Sequence, residues 1–220
     1  MAANWNLYFA GYQKTHGGAY FGSDRERYDC QLVLTEQEKA PILVYVDTEP
    51  AGRSYTLNIV ARTCVRLNGE YHLKLGGANA VVGGVKGLAE KLGGGNDYGC
   101  PDVTRSRSVT TNDKSFTKQV LSDLDFRNAL TAQKKAYVEI RPTPQGDGWH
   151  MVEIGRVNFD GVMTDGEEWV SAIMVQDTTC MTPEEKAVID RAAQADFDQR
   201  MDEFLNLLRA AARAVTTWRM

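Results

Sequence analysis

The chain has 220 residues, of which 43% are hydrophobic and 25% charged, and 29 Asp and Glu against 25 Lys and Arg give a formal net charge of −4. This average composition excludes collagen-like, disordered and disulfide-scaffold classes, and a chain of this length buries a sizeable core without metal or disulfide staples. The acidic balance argues against a dedicated nucleic-acid protein, whose affinity comes from counterion release at a basic patch, although a local patch can survive an acidic average.

The first 75 residues read as β. Trp5 to Ala10 is a short apolar run, broken by Thr15-His16-Gly17-Gly18. Tyr28 to Leu34 and Ile42 to Val46 follow as further strands. Tyr55 to Leu67 alternates with a period of two over 13 residues, the pattern of a strand with one buried face. Asn68-Gly69 then predicts a hairpin. A three-residue loop, Leu67-Asn68-Gly69, pairs Val65 with Tyr71, Thr63 with Leu73 and Ala61 with Leu75, which keeps each face consistent.

Val81, Val85, Leu88 and Leu92 recur at helical spacing, so about Ala80 to Leu92 is predicted as a short amphipathic helix. Gly93-Gly94-Gly95-Asn96-Asp97 marks a hinge. Val103 to Thr110 reads as an edge strand, with Arg105 and Arg107 discouraging unwanted pairing. Asn112 or Asp113 can cap a helix containing Phe116, Val120, Leu121 and Leu124, and Asp125 to Ala132 continues it after a bend. Tyr137 to Arg141 and Trp149 to Val157 form a hairpin around Pro144 to Gly148. Turns at Asp160-Gly161 and Asp165-Gly166 precede a last strand, Trp169 to Val175.

Thr182-Pro183-Glu184-Glu185 is a capping box with proline at the first helical position. The helix it starts carries Phe197, Met201, Phe204, Leu208, Ala211 and Val215 in one stripe. From Pro183 to about Thr216 it would run roughly 50 Å. A compact domain of this size measures roughly 35–40 Å, so the helix is expected to bend, break, project or pack along a partner. The stripe is read as core or as an interface through Phe197, Met201, Phe204, Leu208 and Val215; its alternating 4-3 spacing resembles that of coiled coils.

Chemistry-bearing motifs are sparse. Gly76-Gly77 and Gly83-Gly84-Val85-Lys86-Gly87 suggest a phosphate loop, but neither the dinucleotide nor the P-loop pattern is complete. Cys100 stands near Arg105 and Arg107, an environment that can activate a thiol, with His150 or His16 as its base. Arg105 and Arg107, interleaved with Ser and Thr, are candidates for holding an anion. The three histidines lack the spacing of a metal site, and Cys30, Cys64, Cys100 and Cys180 show no Cys-x-x-Cys pair. No metal or cofactor is expected. The N-terminus lacks a basic segment followed by an apolar one, and no run of about 18 apolar residues occurs, so neither a signal peptide nor a transmembrane segment is expected. A soluble, cytoplasmic protein is therefore the expectation.

The resulting expectation is an α+β protein with mainly antiparallel sheet, short helices and two possible β–α lobes, plus a long C-terminal amphipathic helix. Residues 1–178 form the domain, with a lobe boundary near 93–99, and 179–220 form the helix that packs on it or on a partner. The functional expectation is a non-enzymatic interaction or binding protein, with a protein partner or a second copy of the chain against that helix. The alternative is an enzyme, or an anion or small-ligand binder, using a cleft near Cys100, Arg105, Arg107 and His150.

Overall fold

The structure is a computed structural model and describes residues 5–22, 29–36, 39–51, 54–77, 98–157 and 181–217. The expected helix at 80–92, the glycine hinge at 93–97 and the turns and strand between 160 and 175 lie outside them.

Eight strands form one antiparallel sheet: β1 (Ala19–Gly22), β2 (Cys30–Leu34), β3 (Ile42–Ala51), β4 (Ser54–Arg66), β5 (Leu73–Leu75), β6 (Val109–Thr111), β7 (Ala136–Pro142) and β8 (Trp149–Val157). Their order is β1-β2-β3-β4-β8-β7-β5-β6. The helices are α1 (Trp5–His16), α2 (Pro101–Thr104), α3 (Lys114–Ser122), α4 (Leu124–Ala132) and α5 (Pro183–Thr216). This is the expected α+β class with its long C-terminal helix. Among the described residues no helix is long and apolar enough to cross a membrane. The chain divides into two compact units, Met1–Ala61 with Val157–Phe204 and Arg62–Arg156 with Leu205–Met220.

In the first unit, the N-terminal segment corrects the β reading. Trp5, Phe9 and Tyr12 are buried on one face of α1, an i, i+4, i+7 pattern that a helix buries and a strand would split between two faces. Trp5 and Phe9 pack around Phe197 of α5, with ring centroids 6.0 and 5.9 Å away. Gln194 Nε2 donates to the Tyr8 carbonyl at 3.1 Å. The β2 strand buries Cys30, Leu32 and Leu34 in strict alternation, and β2 pairs with β3 through Leu32 and Val44.

In the second unit, the expected β4–β5 hairpin does not form. β5 pairs instead with β6 and β7, and β8 lies beside β4. Gly69 does take the left-handed conformation a turn there requires, at φ 86°. Beyond it the chain crosses over to the far side of the β7–β8 hairpin. Leu67 donates its amide to the Gly148 carbonyl at 2.8 Å, and buried Tyr71 donates its own to His150 Nε2 at 3.1 Å. Apolar alternation in β7 and β8 explains the preference. Val138 pairs with Ile154 and Ile140 with Val152, and all four are buried. The β7–β8 hairpin is the expected one, turning through Gly146, Asp147 and Gly148 at positive φ.

Val103 to Thr110 is not one edge strand. Pro101 starts a helical turn there, since its fixed φ suits a first helical position, and only Val109–Thr111 pairs, at the sheet edge. Asp113 is the cap of α3, accepting from the Phe116 amide at 2.9 Å. Asn112 does other work, accepting from the His72 amide. Asp123 interrupts the helical run and caps α4 through the Phe126 amide, which is the expected bend.

Helix α5 begins on its capping box. Thr182 Oγ1 accepts from the Glu185 amide at 3.2 Å, and Glu185 Oε2 accepts from the Thr182 amide at 2.9 Å. The Thr182 amide and hydroxyl hold the Glu185 carboxyl below its ordinary range. Phe197, Met201, Phe204, Leu208 and Val215 are all buried.

Candidate functional site

Cys100 is buried just before α2. Its thiol donates to the Leu121 carbonyl at 3.0 Å and lies 3.5 Å from the Tyr98 carbonyl. That arrangement holds the sulfur inward, away from solvent.

His150 is also buried. Its Nε2 accepts from the Tyr71 amide, so Nδ1 carries the proton and donates to the Gly148 carbonyl at 3.0 Å. Both ring nitrogens are thus spent on the backbone that carries the chain across the hairpin. Tyr71 in turn bonds Thr117 Oγ1 through its hydroxyl at 2.9 Å.

Arg105 and Arg107 separate. Arg105 is exposed and Arg107 is buried. The Arg107 guanidinium donates to four carbonyls, those of Gly76 at 3.1 Å, Ala136 at 2.5 Å, Leu130 at 2.9 Å and Gln133 at 2.8 Å. Leu130 and Gln133 close α4; the Leu130 oxygen is one that a helix end leaves without an intrahelical donor, and the Gln133 oxygen also accepts from the Ala136 amide at 3.0 Å. Arg107 is therefore a cap that also ties down the end of β5 and the start of β7. Desolvation lowers its pKa to about 10, which leaves it cationic at neutral pH.

The described partners of Cys100, Arg107 and His150 do not overlap. A recess of about 370 Å³ in this unit is lined by Asp125, Asn128, Ala129, Ala132, Asn206 and Arg213, none of them a residue singled out from sequence. Arg213 and Asp125 of this lining pair at 2.7 Å.

His16 joins a cluster in the first unit. Its ring stacks on Tyr12 with centroids 3.9 Å apart, and its Nε2 lies 3.5 Å from Asp202 Oδ2. Tyr12 donates its hydroxyl to Asp202 Oδ1 at 2.5 Å. Desolvation raises the nearby Asp198 carboxyl. These contacts join α1 to α5.

A polar network that sequence reasoning missed surrounds Glu153, which is almost completely buried. Arg62 Nε donates to its Oε2 at 2.7 Å and the Tyr137 hydroxyl to its Oε1 at 2.8 Å. Arg141 lies 3.5 Å from the same Oε2. The available signal was the alternation of β7 and β8, which sets Tyr137, Arg141 and Glu153 on the face opposite the core. The pairing with Arg62 required knowing that β4 adjoins β8.

The thiols give a direct check on a Cys100 nucleophile. Cys30 and Cys100 are buried and Cys64 is exposed, and burial with Asp29 nearby pushes Cys30 up to about 12. In a Cys180→Ser background, a thiol reagent at neutral pH is expected to label Cys64 in the folded chain and to reach Cys30 and Cys100 only in denaturant. The further change Cys64→Ser should remove the fast phase. Rapid labelling of Cys100 would return it to the list of nucleophiles.

Comparison with protein-family models, with curated proteins and with solved structures finds no match for the chain.

Proposed function

We propose that the chain is a non-enzymatic interaction protein that self-associates through the first turns of its C-terminal helix. The observation that carries this reading is the change of exposure along α5. Its apolar stripe is buried within the chain from Ala193 onward, while Pro183 to Val188 and Asp190 to Ala192 are exposed. Val188 is 57% exposed there. Glu184, Val188, Arg191 and Ala195 lie at spacings of four, three and four, so they share one face. An antiparallel second copy, with its two-fold axis between Ala187 and Val188, sets Glu184 of each helix opposite Arg191 of the other. The intervening Ala187 and Val188 are small enough for close approach.

Three turns bury little area, so the association is weak, with a dissociation constant on the order of 0.1 mM. Sedimentation of the full chain between about 10 µM and 1 mM tests it. The weight-average mass should rise with concentration, stay monomeric in Val188→Asp, fall back in Arg191→Glu and recover in Arg191→Glu combined with Glu184→Arg. A wild-type mass that does not change over this range sinks the proposal.

A further inference from the structure

We infer that the open face of the sheet in the second unit is a platform for single-stranded nucleic acid, built from Arg62, Arg66, Lys74, Tyr137, Arg141 and Trp149. The inference is independent of the self-association proposed above and concerns a different surface.

The placement follows from strand alternation. Val138 and Ile140 of β7 point into the core, so Tyr137, Glu139 and Arg141 point the other way. Register carries that face across the neighbouring strands. Tyr137 pairs with Gly155, Glu139 with Glu153 and with Lys74, and Arg141 with Met151. The Arg62–Glu153 bond and the Leu67 amide on Gly148 fix β4 antiparallel to β8. Counting along both strands from those contacts places Arg66 beside Trp149.

Charge on this face runs against the average. Four cations, Arg62, Arg66, Lys74 and Arg141, meet two carboxylates, Glu139 and Glu153, a surplus of two in a chain of net charge −4. Both carboxylates are already engaged, Glu153 by Arg62 and Arg141 and Glu139 by Lys74 at 3.5 Å. Arg141 meets Glu153 through one terminal nitrogen at 3.5 Å; its Nε is buried and makes no hydrogen bond, so an added anion would be met by the terminal nitrogens of the part-exposed guanidinium.

Two aromatic rings stand among these charges. The Tyr137 ring lies over the Gly155 backbone, where even a Cβ would collide with it, and its hydroxyl is held by Glu153. The ring is thereby fixed in position, and Tyr137 is half-buried. Trp149 is 40% exposed, unusual for so large an apolar side chain at a strand start. Rigid rings interleaved with cations offer bases a stacking surface and phosphates a counter-charge. A broad sheet face cannot enter a duplex groove as a helix or two-stranded ribbon does, so the unpaired strand is the form that fits.

The test is fluorescence anisotropy with a labelled oligothymidylate of about 20 nucleotides on the full chain. At about 50 mM salt it should bind saturably, and the logarithm of affinity should fall against the logarithm of salt with a slope of about −1.5 to −3, for two to four phosphates. Trp149→Ala should weaken binding about tenfold or more, and Arg66→Glu should weaken it and flatten the salt slope. Both positions are exposed, and an unchanged circular dichroism spectrum shows that the fold is intact. No binding at low salt overturns the inference, as does binding that neither variant alters. Equal affinity for polyglutamate overturns it too, because that would mark a surface for acidic peptides.

Discussion

Replacing Arg107 by methionine is expected to lower the unfolding free energy by about 3–5 kcal/mol, the cost of breaking a buried network of hydrogen bonds to one cation. Methionine fills most of the arginine stem but donates nothing. Four carbonyl oxygens, from Gly76, Leu130, Gln133 and Ala136, then lose the guanidinium, although the Gln133 oxygen keeps the Ala136 amide at 3.0 Å. Each buried oxygen left alone costs about 1–3 kcal/mol, and local opening to water limits the sum. Natural domains are stable by about 5–15 kcal/mol, so the loss is a large share. Arg107→Lys should recover less than half, because a single ammonium cannot reach oxygens that a planar fork contacts from two nitrogens. Urea unfolding checks both, through a lowered midpoint at an unchanged m-value. A shift equivalent to less than about 1 kcal/mol would mean that water replaces the guanidinium without penalty.

Arg107 also shows where sequence reasoning stops. Between Ser106 and Ser108 it looks like a solvated strand residue or an anion ligand. Its real partners lie 23 to 31 residues away in the chain, and only the folded arrangement of β5, α4 and β7 brings them together. The same holds for Cys100 and His150, whose chemistry is decided by Leu121 and Tyr71. Features set by neighbours in the chain were legible. The Thr182–Glu185 capping box, the Asp113 cap and the turn at Gly146 to Gly148 depend on residues within a few positions. The β4–β5 hairpin failed because Asn-Gly encodes a turn and not the strand that follows it. A local hairpin saves loop-closure entropy, but here the apolar alternation of β8 secures the place beside β4. At the N-terminus, Trp5 to Ala10 was too short a window to separate two periods, and the helical repeat emerges only with Tyr12 included.

Phe197→Ala is expected to cost about 3–5 kcal/mol, the range for emptying a buried phenylalanine site. Phe197 is 1% exposed, and its ring lies 5.2 Å from that of Tyr8 and about as close to Trp5 and Phe9. Four rings in T-shaped and tilted contact cannot close a cavity of that size without giving up their mutual geometry. The same helix carries Val188, where Val188→Asp should change stability by no more than about 0.5 kcal/mol, as for an exposed position. The two substitutions therefore separate two roles of one helix. Thermal unfolding at a fixed low concentration should fall sharply for Phe197→Ala and stay level for Val188→Asp, while sedimentation of the two should respond in the opposite order. If Phe197→Ala instead left stability intact and abolished association, the stripe from Phe197 to Val215 would be an interface between copies and α5 would have to leave its place against α1. The Gln194 bond to the Tyr8 carbonyl and the Tyr12 bond to Asp202 oppose that exchange, since opening the helix breaks both at once and exposes the aromatic cluster to water.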